Sequence, residues 1–456
     1  MNYTGPEGII GVTMDKPITK QMAVSSTKAA YLTYNEELWN PLLLRQVIEP
    51  ISDLRSCLSA DKFYLIAFIP WHDCLRKRQQ IADIKTKLTR SNIIPVILPS
   101  FAPFPLPYFM PIYDKGRWQR GYKMSAITIP FVLLHTLPLL LIMHLLVNVK
   151  VFHCRSYPIS VAALICKIVF RDFRFIFDPR SDYPEENVIC GNWKSESTTF
   201  KVWKWLEKNF VKYADNVVCI AETYRTHFSK ANWEANYVII PNNVDVIRFA
   251  TKNDTFRNKF RRDNGLDNKL VFCYLGTMSV ASYHNPAIYV KTINAFRILE
   301  QPHVFLFLIP DQSVEVLVEA MKAGGITSEE YLIHNPLYDE VPSYLSVADY
   351  GILFFDRRTI RLGTKIVEYT AAGLPVLINS NVEGALSVVE KDEIGCMIDI
   401  GAGDIDREVS VDKIKSLGNK SYNKSCIQKY SELNYSNGTV VNEYRKVYES
   451  LANSAE

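Results

Sequence analysis

The chain alternates between short, continuous apolar runs and longer segments whose apolar residues recur at helical spacing. The apolar runs include AAYLTY, FYLIAFIP, LVFCYLG and HVFLFLIP, and FRFIFDPR is a further strand-like segment. The helical segments include PLLLRQVIEPISDL, KVWKWLEKNFVKYA and SVEVLVEAMKA. A continuous apolar run suits a strand that is buried on both faces of a parallel sheet. Regular alternation of such strands with helices predicts an α/β protein with doubly wound sheets.

The alternation is interrupted once, at PNNVDVIRF, and then begins again. We therefore predict two Rossmann-like domains. Ligands of such sheets bind at the carboxyl ends of the strands, and two domains that face each other form a cleft there. Val440, Tyr444, Val447 and Leu451 form an apolar stripe that needs a partner. The predicted boundaries are a loose tail over 1–28, a first domain over 29–241, a linker over 242–250, a second domain over 251–428, and a C-terminal helix within 429–456 that packs back on the first domain.

Composition and charge narrow the function classes. The 456 residues carry 52 Lys and Arg against 48 Asp and Glu, and this small positive balance gives no electrostatic case for nucleic-acid binding. Nine scattered cysteines without a C-x-x-C pair are typical of reduced thiols, so no disulfide framework or metal site is expected. No signal peptide is evident and no cofactor is predicted, and we expect a cytoplasmic protein.

One apolar stretch raises the question of a membrane. Residues 126–149 are long enough to cross a bilayer, yet they contain two prolines and two histidines and run into a strand-like segment. The preceding residues 117–123 interleave Arg117, Arg120 and Lys123 with two aromatic rings. For residues 126–149, a membrane span and a helix that is buried or touches the cytoplasmic face of the inner membrane remain open. For residues 117–123, a contact with an anionic membrane surface and a solvated loop remain open.

Phosphate chemistry is expected in the second half of the chain. No glycine occurs between Gly11 and Gly116, and none of the common phosphate-loop motifs is present. In the segment RLGTKIVEYTAAGLPVLINS, Thr364 is the predicted N-cap of a short helix, and Lys365 stands at its first position. Cations crowd this turn, since Arg357, Arg358 and Arg361 precede Lys365.

Positive charge at a helix N-terminus is unfavourable unless an anion sits there, and a phosphate is the natural anion. Glu368 shares a helix face with Lys365 at a spacing of three residues. The alternative is an ordinary exposed Lys–Glu pair on the helix surface. A D-x-D pair, Asp404 and Asp406, is interpreted as a chance occurrence.

Five segments in order resemble retaining glycosyltransferases of family 4, which have the GT-B fold. They are FIFDPRSDYPEE, ADNVVCIAETYRTHF with VIIPNNVDVIRF, VFCYLGTMS, VPSYLSVADYGILFF and GTKIVEYTAAGLPVLI. The resemblance covers about residues 30–450. It implies an acceptor-side first domain and a second domain that binds a nucleotide-diphosphate sugar. The implied reaction transfers the sugar, with retention, to a surface polysaccharide, lipopolysaccharide, capsule or lipid-linked oligosaccharide.

The resemblance also implies roles for individual residues. Glu368 would accept hydrogen bonds from the donor ribose, while Lys365 with the Thr364 amide and Arg361 would hold the diphosphate. Gly276 and Thr277 would let the backbone approach the phosphates. His153 and Arg155, in HCRSYP, would face the donor sugar and acceptor as catalytic candidates together with Lys365, although a core histidine is the alternative for His153.

Two other functions remain open at this stage. A sugar-nucleotide 2-epimerase shares the GT-B architecture but needs a cluster of carboxylates and histidines around the sugar, and no such cluster is visible in the sequence. A non-catalytic transferase-like binding protein is favoured by Ile360, which stands where many family members carry an acidic residue.

Overall fold

The computed structural model describes residues 27–58, 62–100, 126–251, 253–280, 282–400 and 408–453, together with the backbone of residues 112–114 and 117–119. Most of the predicted tail over 1–28, the side chains of the basic stretch 117–123, and the pair Asp404 and Asp406 lie outside the described residues.

The described strands form two large parallel sheets and one small hairpin. The first sheet has the order β3-β2-β1-β6-β7-β8-β9 and the second has the order β12-β11-β10-β13-β14-β15. The strands are β1 Lys28–Tyr34, β2 Phe63–Pro70, β3 Ile93–Ser100, β4 Ile112–Asp114, β5 Arg117–Gln119, β6 Val149–Arg155, β7 Arg174–Asp178, β8 Asn216–Cys219, β9 Tyr237–Ile239, β10 Leu270–Leu275, β11 His303–Leu308, β12 Tyr331–His334, β13 Tyr350–Leu353, β14 Val376–Ile378 and β15 Gly395–Met397.

Helices connect the parallel strands. They are α1 Pro41–Leu43, α2 Glu49–Cys57, α3 Trp71–Arg76, α4 Arg78–Arg90, α5 Ile129–Leu145, α6 Tyr157–Val169, α7 Tyr183–Ile189, α8 Thr198–Tyr213, α9 Glu222–Lys230, α10 Val246–Ala250, α11 Asp254–Asp263, α12 Pro286–Phe296, α13 Asp311–Ala323, α14 Val341–Val347, α15 Thr364–Ala371, α16 Glu383–Lys391, α17 Val411–Ser416, α18 Lys424–Tyr435 and α19 Asn437–Asn453. A π-helical turn, Leu44–Ile48, joins α1 to α2, and a 3-10 turn, Ala126–Thr128, precedes α5.

The continuous apolar runs of the sequence become central strands. All eight residues of β2 are buried, and so are the last five of the six residues of β10 and β11. Helices therefore cover both faces of each sheet, as a parallel sheet requires. In the first sheet the strand order reverses between β1 and β6, and in the second between β10 and β13. These two reversals are the positions at which doubly wound sheets bind ligands.

The chain crosses between the domains at two adjacent points. The backbone N–H of Val244 in the linker donates to the carbonyl of Tyr435 at 2.9 Å, and Asn243 bonds Asn437 at 3.1 Å. The helix α18 packs on α15 of the second domain, whereas α19 packs on α2 and β6 of the first. The crossover of the C-terminal segment therefore falls at Ser436, later than the predicted start at residue 429.

The apolar stripe of α19 is buried in the core of the first domain. Val440, Tyr444, Val447 and Leu451 share one hydrophobic cluster with side chains from β1, β2 and α2. The first domain thus includes a helix that is far from it in sequence.

Candidate active site

The predicted phosphate site lies where the strand order of the second sheet reverses. Gly276 follows β10 directly, and Lys365 lies in the first turn of α15, which follows β13. The backbone at Gly276 has φ 137°, and a Cβ built there would lie 2.8 Å from Cε of Lys365. A residue with a side chain would be strained at this φ, and its Cβ would have to displace the flexible end of Lys365. The structure therefore brings Gly276 and Lys365 together, while the neighbouring Thr277 is exposed beside them.

The first turn of α15 differs slightly from the prediction. Gly363, with φ 83°, is the N-cap, and Thr364 is the first residue of the helix rather than its cap. A Cβ at Gly363 would meet Leu353 at 2.5 Å, so the tight turn that starts the helix also excludes a side chain. The amides of Thr364 and Lys365 belong to the helix N-terminus, where backbone N–H groups and the helix dipole favour an anion.

Tyr369 fixes the orientation of α15 on the sheet. Its hydroxyl accepts a hydrogen bond from the backbone N–H of Leu275 at 2.9 Å and donates to the carbonyl of Ile352 at 3.2 Å. Gly351 makes room for the ring, because a Cβ there would lie 2.5 Å from it. The helix is thus tied to both strands at the reversal, which holds its first turn beside the end of β10.

Glu368 is a buried carboxylate held between two cations. Its side chain is 4% exposed, with Lys365 Nζ 3.4 Å from one oxygen and Arg45 Nη1 2.9 Å from the other. Burial alone would raise the pKa of Glu368, but the charges of Lys365 and Arg45 outweigh it and hold that pKa below its usual value. Glu368 is therefore ionised at neutral pH, and the exposed surface pair considered from the sequence is excluded by its burial.

Arg45 belongs to the first domain and was not found by sequence reasoning. It lies in the π turn, and its Nη1 also donates to the hydroxyl of Tyr338 at 2.6 Å. The next residue, Gln46, accepts a hydrogen bond from Arg155 at 3.0 Å. Two consecutive side chains of the π turn thus connect Glu368 of the second domain with the polar cluster at the end of β6. Turns of this kind are frequent at functional sites.

The three arginines ahead of Lys365 are all paired within the protein. Arg357 donates to the carbonyl of Ile189 at 3.1 Å, and Arg358 forms an ion pair with Glu383. The crowding of these cations, which suggested a bound anion, is therefore relieved by protein partners. Lys365 and the helix N-terminus remain the basis for a phosphate site.

Arg361 joins the two domains. Its guanidinium lies 2.9 Å from Asp182 and 2.5 Å from Glu186, both in the first domain, and 5.0 Å from the ring centre of Tyr283. Burial would lower the pKa of Arg361, but Glu186 and Asp182 outweigh it and raise that pKa. In this arrangement Arg361 links the two domains, and its predicted contact with the donor diphosphate stays a prediction.

His284 is a second residue that the sequence did not reveal. It lies in the loop after β10, and burial together with the charges of Lys365 and Arg361 lowers its pKa to about 3. Its Nδ1 is buried and has no hydrogen-bond partner in the described part of the chain. A neutral imidazole therefore stands next to the predicted phosphate site, where it adds no positive charge.

His153 lies in the core of the first domain. It is fully buried in β6, with Nε2 3.2 Å from Asp178 and Nδ1 3.0 Å from the hydroxyl of Tyr448. Burial lowers the pKa of His153 despite the nearby carboxylate, so the ring is neutral at pH 7. Both ring nitrogens are occupied by protein groups. This arrangement is that of a structural core histidine rather than of the catalytic group expected from the sequence.

Arg155 occupies the strand reversal of the first sheet. Its Nε lies 2.9 and 3.0 Å from the two carboxylate oxygens of Glu36, and its Nη2 donates to Gln46. Nη1 is buried without a hydrogen-bond partner among the described residues. The N–H groups of Nη1 are therefore unused, and Arg155 lies at the end of β6, on the ligand-binding edge of the sheet.

A metal centre has no counterpart in the described part of the chain. Among those residues, no group of three or more His, Cys, Asp and Glu side chains is placed to hold a metal ion.

Solved structures share this two-domain architecture. A glycosyltransferase from Rickettsia africae is 12% identical, with a TM-score of 0.63 over 93% of this chain and 98% of that chain. HepE from Anabaena, in complex with UDP, is 14% identical, with a TM-score of 0.64 over 93% and 100%. The lipopolysaccharide outer core galactosyltransferase WaaB is 10% identical, with a TM-score of 0.58 over 93% and 99%.

These similarities identify the fold. The chain has the GT-B fold, with two Rossmann-like domains facing each other across a cleft, and the predicted fold class is confirmed. No family model matches the sequence. No curated protein sequence matches it either. Membership of family 4 and a retaining reaction stay predictions.

Proposed function

We propose that this protein is a glycosyltransferase that moves a sugar from a nucleotide-diphosphate donor to a saccharide or lipid-linked acceptor. The observation that carries the proposal is the position of Lys365 and Glu368 at the strand reversal of a GT-B fold, with Gly276 opening the backbone beside them. HepE has the same fold and was solved with UDP and with UDP-glucose, which supports a nucleotide sugar as the donor class.

The donor diphosphate would bind at the first turn of α15. When the glycosidic bond to the sugar breaks, negative charge develops on the diphosphate leaving group. Lys365 and the amides of Thr364 and Lys365 would stabilise that charge without reorganising, because they are already fixed by the packing of the helix. Glu368, about one turn deeper, would accept hydrogen bonds from the ribose hydroxyls.

The first domain would supply the acceptor side. Arg155 is the better candidate for substrate contact, since it keeps an unused donor at the end of β6, whereas His153 would position neighbouring groups from the core. A polysaccharide, a lipopolysaccharide and a lipid-linked oligosaccharide are the acceptor classes within the proposal, and transfer with retention is part of it.

Two variants test the donor site. Lys365→Ala and Glu368→Gln should each weaken donor binding or turnover by tenfold or more, since a charged hydrogen bond is worth about 1.5–3 kcal/mol. Lys446→Ala is a matched control, because Lys446 forms a surface ion pair with Glu443 at the same three-residue spacing but lies on α19. The measurement is calorimetric titration and turnover with UDP-, GDP-, ADP- and dTDP-sugars, alongside thermal melting.

The same assay separates the alternative functions. Transfer or slow hydrolysis of the donor supports a transferase, whereas release of a free epimer identifies an epimerase. Donor binding without turnover identifies a binding protein. Wild-type affinity and turnover in both donor-site variants would show that the site has been assigned to the wrong residues.

A further inference from the structure

The helix α5 presents an apolar stripe to solvent. Among the described residues it is, with the 3-10 turn before it, the one helix long and apolar enough to cross a membrane, and 28% of that stretch is buried. Its exposed positions recur at spacings of three and four residues, which places them on a single face of the helix. They are Pro130, Phe131, Leu134, Pro138, Ile142 and Leu145, and Ile127 in the preceding turn continues the stripe.

The polar side chains of α5 point the other way. His135 bonds the hydroxyl of Tyr34 at 3.2 Å, Thr136 bonds the carbonyl of Val132 at 2.7 Å, and His144 bonds the carbonyl of Val149 at 3.0 Å. An ordinary surface helix has its apolar stripe toward the core and its polar residues toward water. In α5 the outer face is apolar as well as the inner one, so the outer stripe suits an apolar environment rather than water.

The neighbouring helix α8 adds positive charge to the same surface. The helix α6 packs between α5 and α8, and α8 also contacts the 3-10 turn before α5. The exposed positions of α8 again lie on one face, and they are Thr198, Lys201, Trp205, Lys208 and Lys212. The end of α6 contributes Ile168, Val169 and Arg171, which are exposed as well. The exposed Asp172 at this edge is paired with Lys150 at 2.5 Å.

We propose that this apolar–basic face, formed by the exposed residues of α5, α8 and the end of α6, docks on the surface of an anionic phospholipid bilayer. Charge complementarity selects this partner, because an apolar stripe flanked by lysines and a tryptophan matches acyl chains below a layer of negatively charged headgroups. Long lysine stems allow the charged ends to remain among the headgroups while the apolar stripe enters the boundary region.

The packing of α5 also fixes how the helix meets the bilayer. Its inner stripe, which includes Val132, Leu140 and Met143, is part of the core of the first domain. The helix therefore lies along the membrane surface together with α6 and α8, rather than crossing the bilayer alone. This inference does not depend on the proposed transfer reaction, since it rests on a surface outside the donor site.

Flotation of the full chain with lipid vesicles tests the proposal. One set of vesicles is phosphatidylcholine and the other contains phosphatidylglycerol as well. We expect at least tenfold stronger partitioning onto the anionic vesicles. Leu134→Glu should lower that partitioning at least tenfold, and combined replacement of the exposed Lys201, Lys208 and Lys212 by glutamine should remove the preference for anionic lipid. Leu433→Glu is the control, because Leu433 is 63% exposed on α18 of the second domain.

Folding of each variant is checked by circular dichroism and thermal melting. Leu134 is 75% exposed, so the glutamate of Leu134→Glu is expected to leave the fold intact. If Leu134→Glu does not fold, Trp205→Ser provides a second variant of the same face. Equal, negligible partitioning of the wild type on both vesicles would overturn the proposal. So would a dimer in sedimentation that Leu134→Glu abolishes without any vesicle binding. Resistance of the membrane-bound chain to alkaline carbonate extraction would overturn the surface geometry in favour of a span.

Discussion

Replacing Arg45 with methionine removes the cation that the first domain places on Glu368. The guanidinium of Arg45 lies 2.9 Å from Glu368, and both side chains are at least 94% buried. Methionine keeps much of the volume of the arginine stem and cannot donate a hydrogen bond. The substitution therefore removes the ion pair with Glu368, together with the hydrogen bond to Tyr338, while it keeps most of the packing around the arginine stem.

The size of the effect follows from what remains around the carboxylate. Breaking a buried ion pair outright costs about 3–5 kcal/mol, because the remaining charge is left without a partner. Glu368 keeps Lys365 at 3.4 Å, however, so its charge is not left unpaired. The loss should then be closer to that of one charged hydrogen bond, about 1.5–3 kcal/mol of the free energy of unfolding.

The same ion pair should affect donor binding in the opposite direction. In the proposed site the donor ribose and Arg45 compete for Glu368, so the donor must displace the guanidinium. Removing Arg45 should therefore tighten donor binding, by roughly 10- to 100-fold if the whole energy of the hydrogen bond is recovered. A less stable protein that binds its ligand more tightly is the expected signature of this competition.

A double-mutant cycle measures both effects. Arg45→Met, Glu368→Gln and the double variant are compared by urea denaturation of the full chain and by calorimetric titration of the donor nucleotide. A coupling energy of about 1.5 kcal/mol or more in denaturation is expected for the contact. If Arg45→Met weakens donor binding, the guanidinium contacts the donor and the competition does not exist. A coupling energy below about 0.5 kcal/mol would mean that the pair contributes nothing measurable.

Two further predictions concern backbone space and pH. Gly276→Ala should weaken donor binding at least tenfold in calorimetric titration while the protein stays folded, because its Cβ would displace the lysine at the start of α15. Gly265→Ala is the control, since Gly265 also has a positive φ but a Cβ there would meet no atom within 4 Å. Equal donor affinities of the two variants would contradict the site. Glu330→Gln should lower the free energy of unfolding by about 1 kcal/mol at pH 7, a partly exposed pair being worth little. The hydrogen bonds from Arg297 lower the pKa of Glu330 to about 2, below its unfolded value, so that its stabilisation is present above about pH 4.5 and is lost as the pH falls through about 2. A difference between wild type and variant that is unchanged between pH 7 and pH 2 in urea denaturation would contradict this.

The sequence predicts the fold because the signals for it are local. Buried strands such as β2, β10 and β11 are apolar runs, and helices such as α8 and α13 have periodic patterns, so the two doubly wound sheets follow without knowledge of distant contacts. The start of α15 can also be predicted, because Lys365 and Glu368 belong to a short motif, as does Gly276 after β10. The N-cap of α15 lies at Gly363, one residue before the predicted Thr364.

The polar contacts of the site are not readable in this way, because their partners are distant in the chain. Arg45 lies in a segment with an ordinary helical pattern, and nothing in that pattern indicates a π turn or the pairing with Glu368. The partners of the arginine cluster are not readable for the same reason, since Asp182, which pairs with Arg361, belongs to the other domain. Likewise, the burial of His153 depends on Tyr448, which comes from the last described helix.

The crossover of α19 has a consequence for folding of the chain during its synthesis on the ribosome. The first domain lacks part of its hydrophobic core until Val440, Tyr444 and Leu451 arrive. Synthesis proceeds at about 5–20 residues per second, so the stretch from residue 242 to residue 437 takes roughly 10–40 s to make. During that time the groove that α19 later fills remains open, and the nascent first domain exposes apolar surface while the second domain is being made. Protease cleavage of ribosome-bound chains of increasing length would record the moment at which this groove closes.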